Sequence, residues 1–191
     1  TYNNGVSKYA LRKIPYVPRV LDVSAGIGIP YSEFAVFNTD ATLLERAEAY
    51  ALSGQYDKAV NDINAELSVF TKKKTQLTLD EIVDFYGSLA YYTPTKPTPK
   101  KALNPLFTIE RTTQEPLLQC ILQLRRLLTM HEGFRLQDVK RYGITMYRRQ
   151  VDVQSNVTAV TDSMKTGDPR LAIQLPQDVI SAGVTPNPRN K

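Results

Sequence analysis

The apolar positions between residues 43 and 67 repeat with the period of a helix and predict two short helices folded back on each other. In the first helix, Leu43, Ala47 and Tyr50 recur every three or four residues and therefore share one face. Gly54 predicts the turn between the helices, because glycine adopts a positive φ without a steric penalty. The second helix turns these apolar residues inward: Tyr56, Ala59, Val60, Ile63 and Leu67.

The spacing of small and aromatic residues in this hairpin is typical of a tetratricopeptide (TPR) unit. Ala47 is separated from Tyr50 by two residues, and Ala59 from Ile63 by three. Small residues let the two helices cross closely, and the aromatic ring fills the space beside them. A single unit leaves one apolar face uncovered, so we expect other parts of the protein to cover it.

The residues before this hairpin, 1–38, are expected to be irregular or extended. Tyrosines are interleaved with prolines there, and the prolines interrupt the one alternating pattern, so any strand would be short or at a sheet edge. The Gly-Ile-Gly run at residues 26–28 lacks the third glycine of a dinucleotide-binding loop and predicts a turn. Thr39 or Asp40 is the expected N-cap of the first helix.

Residues 68–112 predict one short helix and a surface loop. Three consecutive lysines indicate a solvated linker, and Thr78 and Glu81 then have the spacing of a capping box, which starts a helix over residues 79–86. From residue 91 to residue 105 the chain is rich in proline, threonine and lysine, which predicts a loop on the surface.

Residues 113–143 predict a second helical hairpin, without TPR spacing. Its first helix is expected to begin at Thr112 or Thr113 and to run to about His131. A shorter second helix then ends at Gly143. The first helix carries one apolar stripe, formed by Leu117, Ile121, Leu124 and Leu128 and expected to be widened by Leu118, Leu122 and Leu127.

The C-terminal part of the chain changes from a helical to an alternating pattern. Residues 144–153 alternate apolar and polar side chains as a strand would, residues 156–167 predict a polar loop, and residues 171–176 form a second short extended run. Residues 177–181 are compatible with one helical turn. The sequence therefore predicts a single region over residues 1–191 that is mainly α, with TPR-like helical hairpins, long loops and a small β-hairpin near the C terminus.

The composition is that of an ordinary globular chain: of 191 residues, 42% are hydrophobic and 23% charged. The net charge of +5 is a modest basic excess, which favours a solvated surface over nucleic-acid or membrane binding. The single cysteine, Cys120, excludes an internal disulfide and is expected to be buried and inert. No apolar run approaches the roughly 20 residues of a membrane span. Because the chain begins at Thr1, we expect a mature or truncated form.

The densest polar cluster lies between residues 125 and 149 and contains seven Lys/Arg and two acids. A helix-turn-helix DNA-binding motif is one interpretation, but Phe134, Val139 and Tyr142 take much of the surface that would contact bases. The favoured interpretation is that opposite charges three residues apart pair around a helical corner. The residues expected to do so are Glu132, Arg135, Asp138 and Arg141.

The remaining acids and the histidine do not suggest catalysis. Glu45 and Glu48 are expected on an ordinary helix surface, whereas Asp80 and Glu81 suit the first turn of a helix. The only histidine, His131, is expected to cap or pack, which leaves little for a His-based triad or a metal site. We therefore expect no enzyme activity, no metal and no cofactor.

Eleven tyrosines are the remaining signal. Aromatic faces stack on sugar rings or peptide side chains, and the phenolic hydroxyl adds a hydrogen bond. Tyr91 and Tyr92, beside the proline-rich loop, are the best candidates for ligand binding. The alternative is that the tyrosines fill gaps in the core.

Three stretches, taken in order, resemble the C-terminal part of the SusD/RagB family of Bacteroidetes outer-membrane nutrient-binding lipoproteins. Residues 39–50 (TDATLLERAEAY) and 54–59 (GQYDKA) are similar to the family's TPR helix pair. Residues 124–142 (LRRLLTMHEGFRLQDVKRY), with Gly133 at their centre, are similar to its helical corner. The runs DPRLAIQLPQ, which begins at Asp168, and PNP, which begins at Pro186, resemble its closing segment.

The resemblance implies a non-catalytic lipoprotein on the outer membrane that faces outward. Such a protein captures glycans or, in some members, peptides, and passes them to a SusC-like TonB-dependent transporter. It also implies that the lipid anchor and much of the ligand surface lie in an N-terminal segment that this chain lacks. In the family, the corner from Glu132 to Arg141 is more scaffold than binding site, so the resemblance assigns no ligand-contact residue.

Two other functions are compatible with the sequence. A TPR-type adaptor would bind a protein partner through a helical groove. An enzyme would act through an acid such as Glu132, although no catalytic constellation surrounds it.

Overall fold

The computed structural model describes residues 16–32, 35, 37–130 and 132–189. In this part of the chain the fold is mainly helical, with six α-helices and two separate two-stranded antiparallel sheets, as the sequence predicts in outline. The elements follow in the order β1 (Tyr16–Asp22), β2 (Ile27–Ser32), α1 (Thr39–Leu52), α2 (Tyr56–Phe70), α3 (Leu79–Ser88), α4 (Gln114–Leu128), α5 (Arg135–Arg141), β3 (Met146–Val151), β4 (Val157–Met164) and α6 (Gln177–Ser181).

The helical hairpin predicted around Gly54 is formed by α1 and α2. Gly54 lies in the turn with φ +76°. Ala47, Ala59 and Ile63 are completely buried between the helices and their neighbours. Tyr50 and Tyr56 are half-buried and pack against the edge of the same core.

Helix α1 begins one residue earlier than expected. Asn38, rather than Thr39 or Asp40, is the N-cap, and its side-chain oxygen accepts a hydrogen bond of 2.7 Å from the backbone N–H of Ala41. Asparagine is at least as good a cap as threonine or aspartate, so composition alone did not separate the three positions.

Helix α4 covers the apolar face of the hairpin and packs against both α1 and α3. It ends at Leu128, before the expected end at His131, which lies outside the described residues. The chain turns there through a hydrogen bond of 3.0 Å from the Glu132 N–H to the Thr129 carbonyl. The buried side chains of the apolar stripe are those predicted, Leu117, Ile121, Leu124 and Leu128, widened by Leu118 and Leu122.

The capping box predicted for α3 is confirmed. The Thr78 hydroxyl accepts a hydrogen bond from the Glu81 N–H at 3.2 Å, and the Glu81 carboxylate accepts one from the Thr78 N–H at 2.7 Å.

The long connection between α3 and α4 was expected on the surface, which is wrong for part of it. Leu103 is only 1% exposed and fills the core beside α4. The next residue, Asn104, donates its N–H to the Tyr142 carbonyl at 2.7 Å. A Cβ on Gly143 would lie 2.2 Å from the Asn104 carbonyl oxygen, and Gly143 has φ +57°. Glycine is therefore required where this connection crosses the end of α5.

The segment expected to be irregular or extended, with any strand short or at a sheet edge, contains the hairpin of β1 and β2. Its prolines are tolerated because both strands of an isolated two-stranded sheet are edge strands. The Asp22 carboxylate accepts backbone N–H bonds from Ser24 and Ala25 in the turn. Of the predicted Gly-Ile-Gly turn, only Gly26 (φ +64°) lies in the turn, and the other two residues begin β2.

The C-terminal hairpin pairs different residues from those expected. Strand β3 pairs with β4, which occupies most of the predicted polar loop at residues 156–167. Polar residues are accepted there because a two-stranded ribbon leaves much of its surface in water. The predicted partner at residues 171–176 is not a strand, since a short 3-10 helix, Pro169–Leu171, leads into irregular backbone. The helical turn predicted at residues 177–181 is confirmed as α6.

Replacement of Ala47 by leucine tests the close approach of α1 to its neighbours. Because this position has no exposed surface, the larger side chain overpacks the core, and we expect a loss of about 1–3 kcal/mol in the free energy of unfolding. Urea denaturation measures it. Ala65→Leu, at an exposed position of α2, is the control and should stay within about 0.5 kcal/mol of the unaltered protein. Equal stability of both variants would contradict the close packing.

Candidate functional site

A buried carboxylate, Glu48, connects three segments that are far apart in the sequence. It lies in α1 and accepts hydrogen bonds from Arg141 Nε at 2.7 Å, from the Tyr142 hydroxyl at 2.7 Å and from Arg125 Nη2. The expectation that Glu48 lies on an ordinary helix surface is wrong, because the residue is only 6% exposed. Its partners lie in α4 and at the end of α5, so the local helical pattern around Glu48 gave no sign of them.

A second carboxylate, Asp138 of α5, completes the network. Arg125 Nη1 donates to it at 2.7 Å and Arg135 Nη1 at 3.3 Å. The pairing of Arg135 with Asp138 was predicted from their spacing. Arg141 was expected to pair with Asp138 as well, but its guanidinium is directed to Glu48. The two oxygens of Asp138 accept hydrogen bonds from Arg125 and Arg135, and Arg141 donates instead to Glu48 Oε1.

The electrostatic balance favours the ionised form of Glu48. Burial raises the pKa of its carboxyl, but the charge of Arg125 and the bonds from Tyr142, Arg125 and Arg141 outweigh burial and hold the pKa below its ordinary value. For Arg125, burial lowers the pKa, but the charges of Glu48 and Asp138 together with their hydrogen bonds outweigh burial and hold the pKa above its ordinary value. A pair of buried acids that accept hydrogen bonds from guanidinium groups is the arrangement of a structural ion network.

An open cleft of about 760 Å³ lies over this network. Glu48, Arg125 and Asp138 contribute to its lining from α1, α4 and α5. Leu106 and Phe107, from the connection before α4, and Phe134, before α5, line it with apolar surface. The volume is within the usual range of about 300–1,000 Å³ for a small-molecule site.

Of the apolar residues of the cleft, Phe107 packs against neighbouring side chains, whereas Leu106 extends into solvent. The ring of Phe107 packs edge-on against Tyr142, with centroids 5.8 Å apart, and the Arg141 guanidinium lies 5.3 Å from its centroid. The Leu106 side chain is fully exposed. A cleft with an ionic floor and apolar surface suits a ligand that has both hydroxyl groups and apolar faces.

The two tyrosines that the sequence suggested for ligand binding lie outside this cleft lining, and both are engaged within the chain. Tyr91 is 44% exposed, donates its hydroxyl to Glu115 Oε1 at 2.9 Å, and has the Lys100 ammonium 4.4 Å from its ring centroid. Tyr92 stacks on Tyr147 with centroids 5.6 Å apart.

Tyr92 also has two cations against its ring, Lys101 and Arg149, and the charges of Arg126 and Arg135 act on Lys101. We call these five residues the cation–tyrosine surface: Tyr92, Lys101, Arg126, Arg135 and Arg149. Lys101 Nζ lies 3.5 Å from the Tyr92 centroid, and the Arg149 guanidinium carbon lies 4.3 Å from it. Burial, followed by the charges of the other three cations, lowers the pKa of Lys101 to about 7. Sequence reasoning counted the three arginines but missed Lys101, which it assigned to a surface loop.

A second, apolar cavity of about 430 Å³ lies between α3 and α4. Its walls include Ile82, Phe85 and Leu124, and Phe85 is 54% exposed. Cys120 borders this cavity, and its burial is confirmed: burial raises the pKa of the thiol to about 12, which keeps it protonated and unreactive.

Two kinds of feature are absent from the described residues. No helix among them has both the length and the apolar character needed to cross a membrane. No group of three or more His, Cys, Asp or Glu side chains in the same residues is arranged to hold a metal ion.

Comparisons of the chain with protein-family models, with characterised proteins and with solved structures give no match. The function is therefore inferred from the geometry of the cleft and from the three motifs of the sequence.

Replacement of Glu48 by glutamine tests the network. It removes one of the two carboxylates that bind the buried Arg125, and it also removes the carboxylate that binds the half-exposed Arg141, so we expect the free energy of unfolding to fall by about 3 kcal/mol. Glu45→Gln is the control, because Glu45 is exposed one turn away on the same helix and should change stability by less than about 0.5 kcal/mol.

The pH dependence of that difference follows from the lowered pKa of Glu48. Its stabilising contribution is complete above the ordinary carboxyl value of 4.5 and is lost as the pH falls through the folded-state pKa. Urea titrations at several pH values should show the difference from Glu48→Gln shrinking below pH 4.5. A difference independent of pH would contradict an ionised Glu48.

Proposed function

We propose that this chain is part of a SusD/RagB-like nutrient-binding protein that captures an oligosaccharide, or alternatively a peptide, in the cleft over Glu48. The observation that carries this proposal is the meeting of two motifs. The first motif, residues 39–59, supplies Glu48, and the second, residues 124–142, supplies the side chains that bind it. Two stretches that resemble the same family are therefore packed together around one buried contact.

The third motif also has internal contacts that support the resemblance. The Gln174 side chain accepts the Asn187 N–H at 2.9 Å and donates to the Asn187 carbonyl at 3.1 Å. The Asn187 side chain donates to the Ile173 carbonyl at 2.7 Å. The Asn-Pro pair near the C terminus is thus bound to the DPRLAIQLPQ run, as we expect if both belong to one closing segment.

We interpret the hairpin of α1 and α2 as a TPR-like unit within a larger helical scaffold. The supporting features are the fully buried Ala47 and Ala59 at the close crossing, with Tyr50 beside them. In this interpretation the hairpin does not bind the ligand by itself. It positions Glu48, and with it the floor of the cleft.

The chemistry of the cleft favours a glycan. The aromatic surfaces of Phe107 and Phe134 suit the C–H faces of sugar rings, and Gln137 and Lys140 offer hydrogen-bonding groups for sugar hydroxyls. Glu48 and Asp138 are occupied by arginines, which favours binding without catalysis. We further propose that a lipid anchor outside this chain holds the protein on the outer membrane, facing outward, and that a SusC-like TonB-dependent transporter receives the ligand.

A helical adaptor is the second candidate, and one observation favours it. The apolar cavity between α3 and α4, with the exposed ring of Phe85, would accept an apolar side chain of a protein partner. In that case binding would depend on Phe85 and would not depend on the cleft over Glu48.

Calorimetric titration of the protein with panels of neutral oligosaccharides and peptides tests both functions. We expect an oligosaccharide to bind, and Leu106→Ala and Phe107→Ala to weaken binding by about tenfold or more, which corresponds to the loss of one well-packed apolar contact. Leu106→Ala is the cleaner variant, because this fully exposed side chain should not affect folding.

Phe85→Ala is the matched control, since this aromatic residue lines the other cavity. For a glycan-binding protein it should leave affinity unchanged. Binding of a peptide that is lost in Phe85→Ala and kept in Leu106→Ala would contradict the proposed function and establish the adaptor.

A further inference from the structure

Lys101 and Arg149 lie against the ring of Tyr92, and two further cations from other segments, Arg126 and Arg135, act on Lys101 through their charge. Lys101 lies in the connection before α4, Arg126 in α4, Arg135 at the start of α5, and Arg149 in β3. The charges of the three arginines reach Lys101 strongly enough to lower its pKa. Burial lowers the pKa of Arg135, the charge of Asp138 raises it, and the charge of Arg126 lowers it further.

Little negative charge balances these cations. Arg135 pairs with Asp138 at 3.3 Å, but Asp138 is also the partner of Arg125. Within the described part of the chain, Lys101, Arg126 and Arg149 form no ion pair with a carboxylate. The cation–tyrosine surface therefore keeps a net positive charge, and its members repel one another.

Carbonyl groups hold two of these cations in place. Arg149 donates to the carbonyl oxygens of Pro94 at 2.6 Å and Thr93 at 2.7 Å, and also to the Tyr92 hydroxyl. Lys101 donates to the Thr98 carbonyl, and its own backbone N–H is bound by Gln119 Oε1 at 3.0 Å. These neutral acceptors orient the cations without cancelling their charge, so the positive site is organised before any ligand arrives.

We propose that the cation–tyrosine surface binds an anionic group of the ligand, a sulfate ester or a carboxylate carried by an acidic oligosaccharide. This inference rests on the proposed function and narrows its ligand class. Guanidinium groups match the planar and multidentate oxygens of these anions, and a bound anion would relieve the repulsion among the cations.

The surface fits a single anionic group better than a nucleic acid. A single-stranded nucleic acid requires free aromatic faces on which its bases stack. Here Tyr92 stacks on Tyr147 and also has Lys101 and Arg149 against its ring. Lys101 and Arg149 lie against one ring, whereas a phosphate backbone requires a row of cations.

The test compares a neutral oligosaccharide with its sulfated and its uronic-acid counterparts by calorimetry, with inorganic sulfate as a fourth ligand. We expect at least one acidic counterpart to bind about tenfold more tightly than the neutral one, as one to two charge-assisted hydrogen bonds would give. The sulfated and uronic-acid arms identify which anion is preferred. The preference should fall as salt is raised.

Arg126→Gln should reduce the preference for the acidic oligosaccharide from about tenfold to about threefold or less. The variant should fold normally, because Arg126 is exposed and its side chain forms no ion pair within the described residues. Lys101→Met is the second variant and should act in the same direction. Lys72→Gln is the control, because this exposed lysine lies in the linker after α2 and should leave the preference intact.

The outcomes separate this inference from the proposed function. Equal binding of neutral and acidic oligosaccharides, or a preference unchanged in Arg126→Gln and Lys101→Met, would overturn the inference and leave glycan capture standing. Binding of inorganic sulfate that is lost in Arg126→Gln, with no oligosaccharide bound, would support the anion site and overturn glycan capture. Absence of binding by every ligand would overturn both.

Discussion

The buried carboxylate of Glu48 is the contact on which the arrangement of the helices depends. An ionised group out of water is costly unless each of its oxygens has partners, and here the partners come from Arg125 in α4 and from Arg141 and Tyr142 at the end of α5. Apolar packing also holds α1 against α4, but it is not directional. The ion network adds a directional constraint, because a displaced helix would leave a charge buried and unpaired. The network therefore determines where α1, α4 and α5 lie, and with them the walls of the cleft.

The same network connects the two surfaces to which function is assigned. Asp138 binds Arg125, which lines the cleft, and Arg135, which belongs to the cation–tyrosine surface. The position of α5 thus affects both surfaces at once. A sugar ring over Phe107 and an anionic substituent near Tyr92 would therefore both depend on this one corner of the fold. A scaffold motif would in this way contribute to recognition without contacting the whole ligand.

Sequence reasoning found the features that depend on neighbours in the chain. The helical hairpin at Gly54, the capping box of Thr78 and the apolar stripe of α4 all follow from spacings within a few residues. It failed where the deciding partner is distant. Glu48 has the spacing of a surface residue, and only α4 and α5 bury it. The spacing predicted that Arg141 pairs with Asp138, but Asp138 binds Arg125 and Arg135, and Arg141 binds Glu48. Tyr92 was a candidate for ligand binding, and its position in the loop did not indicate that β3 brings Tyr147 and Arg149 against its ring. Strand β4 was missed because an isolated ribbon does not need an apolar face.

The most direct test of this account is a double-mutant cycle between Glu48 and Arg125. The free energies of unfolding of the unaltered protein, Glu48→Gln, Arg125→Gln and the double variant give the coupling energy between the two side chains without the separate effects of each substitution. If Glu48 determines the packing of α1 against α4, the coupling should be about 1.5 kcal/mol or more at neutral pH, toward the upper part of the range for residues in direct contact. A coupling below about 0.5 kcal/mol, as for independent sites, would show that apolar packing alone places the helices.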